Sequence, residues 1–227
     1  QKKQLIQANG CELQPLKKTH ERYADVFAKL GYPIDLTKHQ YPARKVISAK
    51  TQEIIGLSFK KFIGVAPFAA HRGKMYPLQL IKQVIAQLSN SGDYAVFLFG
   101  GGATETAQLD KLASDFKGIT NMAGKLSFTQ ELELISNLDV MLAMDSGNGH
   151  LAALYDIPVV TIWGVTHPFL GFAPFNQPNE NQLLADRTKY PLVPTSVYGN
   201  TYPNGHEKAI ETISPSAIVE KVLSVLK

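Results

Sequence analysis

The sequence predicts an α/β domain built on a doubly wound parallel sheet. Three observations carry that expectation. From Phe62 to Trp163, apolar runs of strand length alternate with segments whose apolar residues recur at helical spacing. The strand-like runs end at proline, glycine or acid-containing loops, the places where ligands bind in such sheets. And Val140-Met141-Leu142-Ala143-Met144 opens through Asp145-Ser146-Gly147-Asn148-Gly149-His150 into a small-residue helix pattern, Leu151-Ala152-Ala153-Leu154. A strand turning through glycine into a helix aims free backbone N–H groups and the positive end of the helix dipole at one point, a natural seat for phosphate.

In chain order, residues 1–18 are polar and aperiodic and read as a linker or the tail of a preceding segment. Tyr23, Val26, Phe27 and Leu30 fall at helical spacing and Gly31 supplies a stop; Thr19 and Arg22 make no capping box, so the start is less defined. Residues 32–45, with Pro33 and Pro42, read as an extended connector, and residues 48–58 as a short helix. Phe62–Ala66 is a buried-strand run broken by Pro67. Pro77 suits the first turn of the next helix, whose apolar stripe is Leu78, Ile81, Val84, Ile85 and Leu88 and whose stop is Gly92.

Tyr94–Phe99 is the second strand, followed by Gly100-Gly101-Gly102 and a helix from about Thr104 to Phe116. Ile119 and Thr120 begin a short third strand. A helix carrying Leu132, Leu134, Ile135 and Leu138 leads to the fourth, and a helix from Gly149 to Tyr155 to the fifth, Pro158–Trp163. Residues 164–213, rich in Pro, Gly, Asn and Tyr, carry one more short strand near Gln182–Ala185. Ser214 caps a last helix with Ile218, Val219, Val222, Leu223 and Leu226 on its apolar side.

Composition excludes several classes. The 227 residues, 44% hydrophobic and 19% charged, fit one large or two small globular domains. The net charge of +4 is scattered, with one mild cluster at Lys2, Lys3, Lys17 and Lys18, unlike the basic stripe of a nucleic-acid binder. It supports a weak attraction to anionic substrates or a membrane surface. A single cysteine, Cys11, excludes an internal disulfide and a cysteine-based zinc site. No apolar run approaches the roughly 20 residues of a membrane span. A start at Gln1-Lys2-Lys3-Gln4, without Met, reads as a fragment.

Loops 67–76, 100–105, 122–127 and 145–150 all leave strand carboxyl ends and are expected to converge on one sheet edge. In the first, Lys74 reads either as a solvated lysine or as a point charge for phosphate; His71 and Arg72 are expected to be exposed. The glycine run lacks the acid expected about 20 residues on, so a nicotinamide or flavin site is disfavoured. Glu105 fits equally a ribose acceptor and a dipole partner in the first helical turn. Asp145 and Ser146 can each cap the helix, which leaves one of them for a ligand. His150 faces either core or ligand, and its nearness to Asp145 favours the ligand. There is no HExxH, no metal-spaced histidine pair and no GxSxG.

Asp145-Ser146-Gly147-x-x-His150-Leu151-Ala152-Ala153, then Ile157–Gly164 with Thr166 and Pro168, resembles the carboxyl half of the ADP-heptose:lipopolysaccharide heptosyltransferases, glycosyltransferase family 9. The order Pro67, Lys74-x-x-Pro77, Phe99-Gly100-Gly101 and Glu105 resembles the same half, and the likeness covers roughly residues 60–175. It implies a Rossmann-like doubly wound sheet, the C-terminal half of a GT-B fold. Residues 1–45 would then be the linker and interdomain helix at the end of an absent N-terminal acceptor domain, and 46–227 the nucleotide-sugar domain.

By the resemblance, the donor is an ADP-sugar (ADP-heptose or related), transferred with inversion to lipopolysaccharide core or a related glycan without an obligatory metal or other cofactor. Lys74 would neutralise the diphosphate, Ser146 and Gly147 would hold it through the helix start, Asp145 would touch its phosphate or sugar end, Glu105 would take the ribose and His150 would orient the turn. Met122 and Ala123 would line the adenine by backbone contact. The general base would lie in the absent domain, so the isolated chain is expected to be inactive. A cytoplasmic, bacterial protein is implied, in peripheral contact with the inner membrane.

Two departures bear on the donor: Ala69 and Ala70 replace hydroxyl-bearing residues of the first loop, and Asn148-Gly149 replaces a Pro-Met-like pair before the histidine. Two other readings stay open, a non-catalytic nucleotide-sugar-binding or regulatory module and another GT-B enzyme such as a sugar-nucleotide epimerase.

Overall fold

A computed structural model describes residues 13–56, 61–91 and 94–226. Its centre is a six-stranded, fully parallel sheet in the order β3-β2-β1-β4-β5-β6, with β1 Lys61–Ala66, β2 Tyr94–Leu98, β3 Ile119–Asn121, β4 Val140–Met144, β5 Val159–Trp163 and β6 Gln182–Leu184. The described helices are α1 Thr19–Lys29, α2 Ala49–Ile55, α3 Leu78–Ser91, α4 Gly102–Ser114, α5 Phe128–Ile135, α6 Gly147–Leu154 and α7 Pro215–Val225. The α/β, Rossmann-like, doubly wound architecture is the one expected.

Strand side chains alternate between two cores because the pleat has period two and both faces are covered. Ile63, Val65, Val96, Leu98, Val140, Leu142, Met144, Val160 and Ile162 pack on one side with α3, α4 and α7. Ala66, Ala95, Phe97, Phe99, Met141, Ala143 and Val159 pack on the other with α2, α5 and α6. The sheet order reverses between β1 and β4, so their carboxyl-terminal loops splay apart and leave a crevice.

Local signals explain most boundaries, and several differ from expectation. Pro77 stands just before α3, where its carbonyl accepts from the N–H groups of Leu80 and Ile81 at 2.9 and 3.0 Å. The proposed stop at Gly92 lies outside the described residues, as do Cys11, residues 57 and 58 of the expected short helix, and the first 12 residues of the expected linker. The α4 helix starts at Gly102, two residues before Thr104, and Gly102 itself has a φ of 74°, a conformation open to glycine. Helix α5 ends at Ile135, so Leu138 packs from the loop beyond it. A capping box not anticipated from the sequence holds its start: Ser127 Oγ accepts from the Gln130 N–H at 3.4 Å and Gln130 Oε1 from the Ser127 N–H at 3.0 Å. At α7, Ser214 Oγ accepts from the Ala217 N–H at 3.2 Å, as expected.

Helix α1 has its predicted spacing but no buried residue; Tyr23, Val26, Phe27 and Leu30 are 48–66% exposed. Its start is fixed by Glu21, whose carboxylate accepts from the Lys18 N–H at 2.7 Å. The segment before it is tied to the body, since the N–H groups of Leu16 and Thr19 donate to the carbonyls of Phe169 and Gly171 at 2.8 Å each. No described helix is long and apolar enough to cross a membrane.

Candidate functional site

The loop after β1 folds into a 3-10 turn, Arg72–Lys74, and enters a tight three-segment junction. Val165 N–H donates to the Gly73 carbonyl at 3.0 Å. A Cβ on Gly73 would lie 2.5 Å from Val165 Cγ2, one on Gly164 would lie 2.3 Å from the Gly73 oxygen, and one on Gly199 would lie 2.5 Å from Lys74 Cγ. Only glycine fits these approaches, and at Gly199 the φ of +76° asks for glycine as well. The segment after Lys74 is fixed by Tyr76, buried, whose hydroxyl donates to the Ile213 carbonyl at 2.6 Å; burial pushes that phenol up to about 12.

This clamping carries Lys74 to the end of β4. Its Nζ lies 3.0 Å from Asp145 Oδ2, and the two side chains are only 14% and 9% exposed. Thr166 Oγ1, at the end of the loop after β5, donates to the same oxygen at 2.9 Å. Lys74 is therefore not a solvated lysine. Asp145 is not a helix cap either, and Ser146, at the cap position, makes no side-chain cap bond. The expectation that one of the two would be spent on capping is corrected: the ion pair draws Asp145 away, and the extended Ser146 backbone (φ −150°, ψ 171°) turns its hydroxyl into a buried site where it has no partner among the described residues. The first-turn N–H groups of α6 thus receive no side-chain cap.

Beside this turn lies a cleft of about 480 Å³ at the β1/β4 crevice, bounded by Phe68, Ala69 and Ala70, by Phe99, Gly100, Gly101 and Glu105, and by Ser146, Gly147, Asn148 and Leu151. Three of the four predicted loops meet there. Glu105 accepts from the Gly101 N–H at 2.8 Å, which folds the glycine run over the helix start and leaves the carboxylate on the wall of the cleft. It also borders an adjoining cavity of about 580 Å³ reached by Arg72, an exposed residue as expected; His71 is half-buried.

The fourth loop contributes less. Met122 and Ala123 are buried, and their N–H groups already donate to the Leu98 carbonyl and to Asn121 Oδ1 at 2.9 Å each. The Met122 carbonyl accepts from Lys125 N–H at 3.1 Å. Of their backbone groups, the Ala123 carbonyl accepts no hydrogen bond among the described residues.

His150 faces a second cavity, about 530 Å³, that includes His20, Tyr23, His39, Tyr41 and Phe175. His150 keeps an exposed edge, yet the protein packed around its ring desolvates it enough to hold its pKa below the ordinary histidine value; the Asp145 charge opposes this and the Lys74 charge adds to it. It thus sits between the ion pair and an aromatic wall where Phe175 meets His20, His39 and Tyr41 edge-on at 5.0, 4.9 and 6.4 Å. Sequence reasoning missed this wall and the role of Thr166, whose signal was a polar β-branched residue three positions beyond a buried strand.

A family model described as glycosyltransferase family 9 (heptosyltransferase) matches residues 12–201. Lipooligosaccharide heptosyltransferase 2 of Campylobacter jejuni is 25% identical over 173 residues, 74% of this chain and 52% of that protein. Lipopolysaccharide heptosyltransferase 3 of Escherichia coli K12 is 29% identical over 162 residues, 68% of this chain and 46% of that protein. The chain spans about half the length of the curated relatives it matches. Among solved structures, a family 9 glycosyl transferase from Veillonella parvula superposes with a TM-score of 0.70 at 16% identity, over 98% of this chain and 64% of that one. The E. coli heptosyltransferase WaaC with ADP gives 0.62 at 20% identity, over 96% and 60%. At such identities the structures speak for the shared fold.

Proposed function

The chain belongs to glycosyltransferase family 9, and from that premise we propose that its β1/β4 crevice binds the ADP part of an ADP-sugar donor, ADP-heptose or a close relative. The observation that carries this reading is the Lys74–Asp145 pair beside the uncapped start of α6. A cation, an orphan hydroxyl and unspent helix N–H groups at one turn are what a diphosphate needs. Support for ADP comes from the E. coli neighbour, which was solved with it.

In this reading Lys74, the Ser146 hydroxyl and the N–H groups from Gly147 onward hold the diphosphate, and Glu105 takes the ribose. Ala123 offers its carbonyl to the adenine beside Met122. Asp145 and His150 meet the sugar end. As the bond to the sugar breaks, negative charge grows on the leaving diphosphate, and a preorganised cation and helix terminus stabilise it. Residues 1–45 form the linker and interdomain helix of a longer enzyme, and 46–227 its donor domain; the exposed apolar row of α1 suits a helix packed on a further domain. That domain would supply the general base for inverting transfer to lipopolysaccharide core or a related glycan, at the cytoplasmic face of the inner membrane. The isolated chain then binds donor without turnover.

Calorimetry of the 227-residue chain with ADP tests this. Binding that is lost in a folded Lys74→Ala variant supports the assignment; equal affinity removes Lys74 from the site. Ala69 and Ala70 favour one rival, a module that kept the fold without the donor chemistry. Absence of nucleoside diphosphate binding even by a longer chain with its amino-terminal half would establish that rival.

A further inference from the structure

We propose that Thr166 is a positioning residue of the donor site, a role that rests on the reading above. Two buried threonines, Thr161 and Thr166, both 1% exposed, lie on or just after β5, yet their hydroxyls fare differently. Thr161 Oγ1 has no partner among the described residues, so burial along this segment does not by itself secure one. Thr166 Oγ1 instead donates to Asp145 Oδ2 at 2.9 Å, on the oxygen that Lys74 Nζ approaches to 3.0 Å.

The consequence is a division of labour within one carboxylate. Oδ2 holds both protein donors, and among the described residues no side chain donates to Oδ1. Thr166 fixes the carboxylate plane, so Asp145 engages Lys74 through one oxygen and leaves the ammonium its other two protons for an anion. Without the hydroxyl, the carboxylate is free to turn and grip the ammonium with both oxygens, which opposes capture of a diphosphate. The methyl of Thr166 has a separate, structural role, because its Cγ2 would lie 3.2 Å from a Cβ on Gly199, against the segment that packs on Lys74.

Valine and serine separate the two roles. Thr166→Val keeps the methyl and removes the hydroxyl, and Thr166→Ser does the reverse. In calorimetry, Thr166→Val is expected to bind ADP roughly five- to tenfold more weakly while adenosine affinity stays unchanged, and Thr166→Ser to restore ADP binding. In the ligand-free chain, the Asp145 carboxylate carbon resonance is expected to move in Thr166→Val and return in Thr166→Ser. Equal ADP affinity in wild type and Thr166→Val overturns the inference, as does a serine variant that behaves like valine. If the wild-type chain binds no ADP while the resonance responds as stated, the positioning of Asp145 holds and the donor-site reading falls.

Discussion

Lys74 Nζ and Asp145 Oδ2 stand 3.0 Å apart at the carboxyl edge of the sheet, with side chains 14% and 9% exposed. One comes from the loop after β1 and the other from the end of β4, so the pair ties together the two loops at which the strand order reverses. A mostly buried ion pair is costly to leave half made, because the surviving charge is desolvated without its partner.

Lys74→Met and Asp145→Leu, made singly, are therefore each expected to lower unfolding stability by about 3 kcal/mol, and the double variant by clearly less than the sum. Urea denaturation of the four proteins gives the coupling. Strict additivity would show that the pair is not formed in solution.

Ser146 predicts opposite signs for stability and binding. Its hydroxyl is buried without a partner among the described residues, so Ser146→Ala should leave the ligand-free protein as stable or up to about 1 kcal/mol more stable. The same variant should lose about tenfold in ADP affinity. A thermal scan with calorimetry checks both; a destabilised variant with intact binding would mean that the hydroxyl has a structural partner.

Gly164 predicts that the site depends on backbone contact. An added Cβ would sit 2.3 Å from the Gly73 carbonyl oxygen, with no flexible side chain to give way. Gly164→Ala should cost about 2 kcal/mol or more and weaken ADP binding by displacing the turn that carries Lys74. Wild-type stability in this variant would show that the loops are not clamped.

His167 predicts an acid limb. It is buried, its Nδ1 accepts from the Phe169 N–H at 3.1 Å, and burial, with the Arg187 charge adding, lowers its pKa from 6.5 to about 4. The unfolded chain therefore binds the proton first. This contribution is complete above pH 6.5 and is lost as pH falls toward 4, reaching about 2 kcal/mol at pH 5 relative to pH 7. His167→Asn keeps an acceptor for the N–H and should flatten that part of the stability–pH curve; an unchanged curve would assign the acid limb elsewhere.

The alternation of apolar runs and helical stripes was sufficient for the fold because each buried strand is hydrophobic on both faces and each helix must cover one of them. Helix ends shifted by two or three residues, as at Gly102 and Ile135, and the capping box at Ser127 fixed a start for which the apolar pattern gave no position. Helix α1 shows a limit: periodicity places Tyr23, Val26, Phe27 and Leu30 on one side, but not what that side faces.

At the candidate site, the sequence by itself placed loops 67–76, 100–105 and 145–150 together, since parallel strands put their carboxyl ends on one edge, but it also counted loop 122–127, which does not line the cleft; it singled out Lys74, Glu105, Asp145, Ser146 and His150 by residue type and place. Tertiary structure alone decided how they are used. It joined Lys74 to Asp145, added Thr166 to the same oxygen, left Ser146 unpaired and turned His150 toward an aromatic wall. The reason is geometric. Topology brings chain segments to a common edge, whereas the partner of a charge is fixed by sub-ångström packing, here by Gly73, Gly164 and Gly199, whose missing side chains let three distant segments close around one lysine.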